Sequence, residues 1–329
     1  MNDANTRVPT ADDAGGPELV RTVTLKASWQ ARLLNALYRR AVKRRSRRSI
    51  DLAVMRRRMA GLDRWLGSGG AVQRAPVDAN GVAADWITGS PTEGPRTLLY
   101  LHGGGFMLRS PRIHARLAAR LCHVLGARAL MPHYRLAPEH PLPVAHKDCF
   151  HAYRWLLAQS HRAGDIVLAG DSAGGLLVLA TLQRIRDAGL AAPACAVLFS
   201  PGSDLADLDS AIAAAGDDPM ISAPALELLQ RLVVAPIDPR DPAISPCAGS
   251  LAGLPPLLIQ VGSTEALLGQ SMKAAALARA GGTPVELQVW PQMPHVFQAV
   301  AWLPESRRAL TRVGEFVAAA MRPPRVGSG

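Results

Sequence analysis

Apolar positions change their period along this chain. From residue 18 to about 42 they recur every three or four residues. Trp29, Leu33, Leu34, Leu37, Tyr38 and Val42 thereby share one face of an expected helix. A second helical stretch runs from about 50 to 66, with Leu52, Met55, Met59, Leu62 and the Trp65/Leu66 pair on its apolar side. Gly67, Ser68, Gly69 and Gly70 stop it. Residues 1–17 are polar, carry Gly15, Gly16 and Pro17, and predict a flexible N-terminal tail.

Beyond residue 70 the apolar residues gather into short continuous runs. Two β-like runs at 72–79 and 82–87 read as a hairpin. Further runs follow at 97–101, 128–132, 165–169, 194–199, 256–261 and 285–290. Helical periodicity fills the gaps at 112–125, 143–160, 173–188, 222–234, 271–280 and 304–321. Buried strands alternating with helices predict an α/β fold: an eight-stranded, mostly parallel sheet flanked by helices. The expected organisation is a tail at 1–17, a helical segment at 18–70 and an α/β body at 71–329. In such sheets chemistry collects just past the carboxyl ends of the strands.

Composition narrows the class. Of the 329 residues, 48 % are hydrophobic and 19 % charged, a globular balance that excludes disorder, collagen and coiled coil for the bulk of the chain. Cys122, Cys149, Cys195 and Cys247 are scattered without a CxxC. They read as buried small hydrophobes in a reducing, cytoplasmic setting rather than a zinc site or a disulfide framework. The N-terminus has no apolar core of signal-peptide length, and no run of 18 apolar residues exists.

The net charge of +11 is uneven: residues 1–70 hold 15 Lys+Arg against 6 Asp+Glu, and the rest 22 against 20. A basic chain suggests nucleic acid or an anionic membrane. Here Arg39-Arg40, Lys43-Arg44-Arg45, Arg47-Arg48 and Arg56-Arg57-Arg58 share helices with Trp, Leu and Met at core spacing. No interleaved aromatic pattern or nucleic-acid motif accompanies them, so no nucleic-acid partner is expected. They read as a solvated helix face suited to peripheral contact with an anionic membrane.

Three loops past strand ends carry candidate chemistry. After 165–169 comes Gly170-Asp171-Ser172-Ala173-Gly174-Gly175, a G-x-S-x-G turn between a strand and an apolar helix. That geometry exposes Ser172 as a nucleophile at a helix N-terminus, where developing negative charge is favoured. After 97–101 comes His102-Gly103-Gly104-Gly105-Phe106. Its glycine N–H groups, with that of Ala173, are candidate oxyanion donors. His102 reads as structural, orienting its loop by a hydrogen bond.

After 285–290 stands His295, the only histidine beyond residue 161 and the candidate general base. A third group must hold its imidazole, and chain order places that group between 172 and 295. Glu265, past the strand at 256–261, is the only carboxylate between Asp241 and Glu286. Asp238 and Asp241, in a Pro-rich loop, are weaker candidates.

Five motifs in this order resemble the hormone-sensitive-lipase-like family of serine esterases, within the α/β hydrolases. They are His102 to Phe106, Tyr134-Arg135-Leu136-Ala137-Pro138-Glu139, Gly170 to Gly175, Ser200-Pro201 with Asp204-Leu205, and Met293-Pro294-His295. The resemblance implies a carboxylic-ester hydrolase of short- to medium-chain acyl esters, with Ser172 as nucleophile, His295 as base and an acid at position 265. It implies no metal or organic cofactor, and a small-molecule ester as substrate.

It also makes 18–70 a cap over the active site, with Trp29, Leu33, Leu37, Met55 and Met59 lining the substrate mouth. A homodimer through the last helix, 304–321, fits family habit. The segment at 134–139 reads as structural, with an Arg135–Glu139 pair.

This chain departs from the family's usual acid loop, with Thr264 for an aspartate and Gly269 and Gln270 for a terminal acidic pair. That favours Glu265 as the acid and predicts a less braced loop. Lactone, amide or acetyl-group hydrolysis with the same three residues is the alternative. A small-molecule binder on an inactive scaffold is the remote one.

Overall fold

The computed structural model describes residues 20–23, 26–43, 50–66, 72–88 and 94–322. The expected tail at 1–17 and the glycine stop at 67–70 lie outside the described residues.

The described residues begin with a short strand, β1 (Val20–Thr22), and two helices, α1 (Trp29–Lys43) and α2 (Leu52–Leu66). Strands β2 (Gln73–Asp78) and β3 (Ala83–Thr88) follow. Asn80 and Gly81, both at positive φ, turn the chain between them, and the Asp78 carboxylate accepts the Gly81 N–H at 2.6 Å.

Strand and helix then alternate: β4 (Arg96–Leu101), α3 (Pro111–Leu125), β5 (Ala127–Pro132), α4 (Leu142–Ala158), β6 (Ile166–Asp171), α5 (Ala173–Asp187) and β7 (Cys195–Phe199). Two short helices, α6 (Leu208–Ala214) and α7 (Ala223–Leu229), lead to β8 (Leu257–Gly262), α8 (Leu268–Ala280), β9 (Val285–Trp290) and α9 (Pro304–Ala320).

All eight expected strands form, in the spatial order β1-β9-β8-β7-β6-β4-β5-β3-β2. Only β2–β3 and β3–β5 pair antiparallel. The ninth strand, β1, lies within the stretch from residue 18 whose periodicity predicts helix. It joins the sheet edge in register with Leu287, Gln288 and Val289 of β9. A three-residue strand has no period of its own, and pairing with a formed edge decides it. Helix α6 was not expected either; its seven residues are too few to show a helical period.

One large apolar cluster packs α4, α5 and α8 on one face of the sheet, and a second packs α3 and α9 on the other. The apolar face of α9 (Leu310, Val313, Val317) is buried within the chain. Among the described residues no helix is long and apolar enough to cross a membrane.

The N-terminal helices are tied to the body at both ends of the site. Leu34 and Ala31 of α1 pack with Met293, Phe297 and Leu303, and Asn35 Nδ2 donates to the Gln292 carbonyl at 2.6 Å. On α2, Arg56 donates to the carbonyls of Met107 and Ala137 at 3.0 and 2.9 Å and pairs with Glu139. The expected Arg135–Glu139 pair is therefore not made. Arg135 instead binds Asp148 at 2.7 Å, because Arg56 reaches Glu139 from a helix distant in sequence.

Asp63 of α2 accepts the N–H groups of Arg112 and Ile113 at 3.0 and 2.9 Å, capping α3 from outside its own segment. Replacing Asp63 with Ala removes that cap. Stability in denaturant unfolding is expected to fall by about 1 kcal/mol, the usual scale for a lost helix cap.

Candidate active site

Five neighbouring parallel strands, β4, β6, β7, β8 and β9, end on one edge of the sheet. Each contributes a loop there. Ser172 follows β6 at φ 54° and ψ −121°, a conformation that L-residues avoid. The chain can hold it because its neighbours are small. A Cβ on Gly170 would come within 2.5 Å of the Gly174 carbonyl oxygen, and one on Gly174 would strike the Leu101 carbonyl. Ala173 is the first residue of α5, so its N–H has no acceptor inside the helix.

Asp171, beside the serine, is buried and fixes the glycine loop. Its carboxylate accepts the Tyr100 hydroxyl at 2.6 Å and the Gly103 N–H at 3.1 Å. Gly103, expected among the oxyanion donors, thus has its N–H committed to Asp171. Gly104 and Gly105 turn onward at φ 116° and 59°, a path that needs glycine, and both line the cavity that Ser172 lines. His102 is structural, as expected. It stacks on Tyr134 with ring centres 4.3 Å apart, and its Nδ1 lies 2.7 Å from the Gly103 carbonyl. Burial, with His114 nearby, pushes its pKa well below the ordinary imidazole range.

His295 follows β9 and lines the same cavity. Its Nδ1 stands 2.7 Å from Glu265 Oε2. The other Glu265 oxygen accepts the Gly262 N–H at 2.5 Å and the Ser200 hydroxyl at 2.8 Å. Ser200 in turn accepts the Val296 N–H at 3.2 Å, so one hydroxyl joins the acid loop to the histidine loop. Sequence reasoning did not single out Ser200 for this. Its position just past β7, on the same sheet edge, was the available clue.

Burial lowers the His295 pKa. The hydrogen bond and charge of Glu265, with Asp218 and Asp171 beyond, outweigh that and hold it above the ordinary value.

The acid loop is braced after all. Thr264 Oγ1 donates to the Met293 carbonyl at 2.8 Å. Gln270 Oε1 accepts the N–H groups of Ser203 and Asp204, and its Nε2 donates to the Asp204 carbonyl. At 264 and 270 neutral side chains thus brace the loop by hydrogen bonds, while Gly269 contributes none. Asp238 is exposed and serves its own turn by accepting the Arg240 N–H.

The cavity has a volume of about 410 Å³. Phe106, Met107, Leu176, Leu205 and Leu229 line it from the body, and Met55, Met59 and Tyr38 from the N-terminal helices. Trp29, Leu33 and Leu37, expected at the mouth, stand exposed on the outer face of α1, because α1 turns Ala31 and Leu34 inward instead. Among the described residues no three His, Cys, Asp or Glu side chains converge as metal ligands would. The four cysteines are buried, and burial raises their thiol pKa values, that of Cys122 to about 12 and that of Cys247 to about 11.

A family model described as the alpha/beta hydrolase fold matches residues 98–299. A crystallised esterase from the bacterial hormone-sensitive lipase family superposes with a TM-score of 0.81 at 36 % identity, covering 91 % of this chain and all 100 % of its own. The chain belongs to the hormone-sensitive lipase family of α/β hydrolases.

Within the family, an acetyl-hydrolase of Streptomyces hygroscopicus is 44 % identical over 239 residues, 71 % of this chain and 79 % of that protein. The esterase LipU of Mycobacterium tuberculosis is 37 % identical over 257 residues, 74 % and 86 % of the two chains. This family member is therefore an enzyme, a carboxylesterase- and lipase-like hydrolase.

Because Glu265 opposes the effect of burial, its removal has a defined sign. NMR titration should find His295 protonating above pH 6.5, the ordinary histidine value. In Glu265→Gln the midpoint should fall, since burial is then opposed only by the charges of Asp218 and Asp171 beyond.

Proposed function

We propose that this enzyme hydrolyses carboxylic esters of short- to medium-chain acids through Ser172, His295 and Glu265, by way of an acyl-enzyme. One observation carries the reading. A serine on a strained strand-to-helix turn and a histidine anchored through Nδ1 to a buried carboxylate line one apolar cavity. With Nδ1 held by Glu265, the Nε2 edge of the imidazole is left for the proton of Ser172.

In this reading His295 takes the Ser172 proton as Oγ bonds to the ester carbonyl carbon. The carbonyl electron pair moves onto oxygen, where the N–H groups of Gly104, Gly105 and Ala173 receive it. The C–O bond to the alcohol breaks, and the alcohol leaves with the proton from His295. Water, deprotonated by His295, then attacks the acyl-serine and releases the acid and Ser172. Glu265 stays ionised and stabilises the imidazolium in both halves. Each oxyanion donor is worth about 3 kcal/mol, roughly a hundredfold in rate.

The apolar lining suits uncharged acyl and alcohol groups, and residues 18–70 act as the cap that closes the cavity. The four unpaired, buried cysteines are consistent with a reducing, cytoplasmic setting.

Ser172→Ala should abolish turnover of p-nitrophenyl butyrate, and Glu265→Gln should cripple it, while Asp238→Asn stays near wild type. Undiminished turnover by the Ser172 variant overturns the assignment.

Ser200 acts as a positioning residue. Ser200→Ala should lower kcat about tenfold, the loss of a charged hydrogen bond worth ~1.5 kcal/mol, with KM little changed. The pH midpoint of kcat/KM should also move, which a purely structural loss would not produce.

A further inference from the structure

Helix α1 is apolar on both sides. Its inner face buries Ala31 and Leu34 against the loop that carries His295. Its outer face presents Trp29, Leu33 and Leu37, one helical turn apart, at 64 %, 48 % and 56 % exposure. A helix that only covered a core would place polar groups at those positions. Beside this stripe on the same outer surface stand Arg32, Arg39 and Arg40, all exposed. The only acidic residue between positions 19 and 62 is Asp51, so no carboxylate on α1 offsets them.

The stripe does not stand alone. Tyr38 of α1 lines the substrate cavity, and so do Leu62 of α2 and Met220, which are themselves 42 % and 43 % exposed. Leu62 and Met220 are thus exposed apolar side chains at the cavity's rim. Exposed apolar groups flanked by arginine match a lipid surface: the tryptophan and leucines enter the acyl boundary while the guanidinium groups meet anionic headgroups.

We propose that the outer face of α1 docks this esterase onto an anionic membrane surface, with the mouth of its cavity beside the lipid. The surface is built from Trp29, Leu33 and Leu37 with Arg32, Arg39 and Arg40. Docking there would deliver apolar esters from the bilayer to Ser172 without passage through water. Arg56, from the same arginine-rich part of the chain, is not part of the surface, because it is engaged with Glu139 and two carbonyls of the body.

The test is co-sedimentation of the full chain with vesicles of phosphatidylcholine, with and without one third phosphatidylglycerol, at low and high salt. Binding to the anionic vesicles, weakened by salt and absent on pure phosphatidylcholine, is expected. Arg32→Gln/Arg39→Gln/Arg40→Gln should weaken it by roughly a hundredfold, given about a fivefold contribution from each basic residue near such a surface. Trp29→Ser/Leu33→Ser/Leu37→Ser should abolish it.

Both variants should keep wild-type turnover of a water-soluble p-nitrophenyl ester, since none of the six residues lines the cavity. That turnover shows that each variant has folded, and if the apolar variant does not, the arginine variant alone decides. No salt-sensitive binding by the wild type overturns the proposal, as does undiminished binding by a folded variant. Loss of a dimer in the apolar variant, without any vesicle binding by the wild type, overturns it in favour of a second copy of this chain on the face. Binding needs no turnover, so this outcome is separate from that of the esterase reading.

Discussion

The site rests on a close approach between backbones. Helix α5 starts so near the end of β4 that position 174 has no room for a side chain against the Leu101 carbonyl, and position 170 none against the Gly174 carbonyl. That crowding forces the intervening residue, Ser172, to a positive φ and lifts it above the sheet edge. It also sets Asp171 beside the glycine loop, where its carboxylate holds Tyr100 and the Gly103 N–H. The strained turn and the loop that faces it are therefore one unit, linked through a buried acid.

A second buried carboxylate organises the other half. Glu265 holds the His295 ring with one oxygen and, with the other, the Gly262 N–H and the Ser200 hydroxyl. Burial alone would depress the imidazole pKa, and the carboxylate reverses that. A carboxylate this deep is tolerated because each of its oxygens has a partner. The chain supplies these from loops after three different strands, β7, β8 and β9.

The N-terminal helices act on both halves. Helix α1 braces the His295 loop through Leu34 and Asn35, and α2 braces the glycine loop through Arg56 and the start of α3 through Asp63. Helices fastened in this way are part of the scaffold around the cavity. Among the described residues, Arg56 clamps α2 to the body, while Arg32, Arg39 and Arg40 of α1 face outward.

The sequence by itself determined the eight main strands, the principal helices and the residues that the site brings together. Short continuous apolar runs bounded by turn residues read as buried strands, and a glycine-flanked serine between strand and helix admits few other geometries. Ser172, His295 and Glu265 were legible because each stands just past a strand, where side chains escape the packed sheet.

The tertiary structure decided the rest. Strand order placed Ser200 beside Glu265 and let β1 pair at the edge, and neither pairing has any local periodicity to announce it. Arg56 took Glu139 from Arg135, and Asp171 took the Gly103 N–H, because partners for charged and backbone groups are chosen by distance in space. Trp29, Leu33 and Leu37 carry the same helical period as a core face. Only the packing of α1 reveals that they point outward, because period alone does not say which side of a helix meets the body.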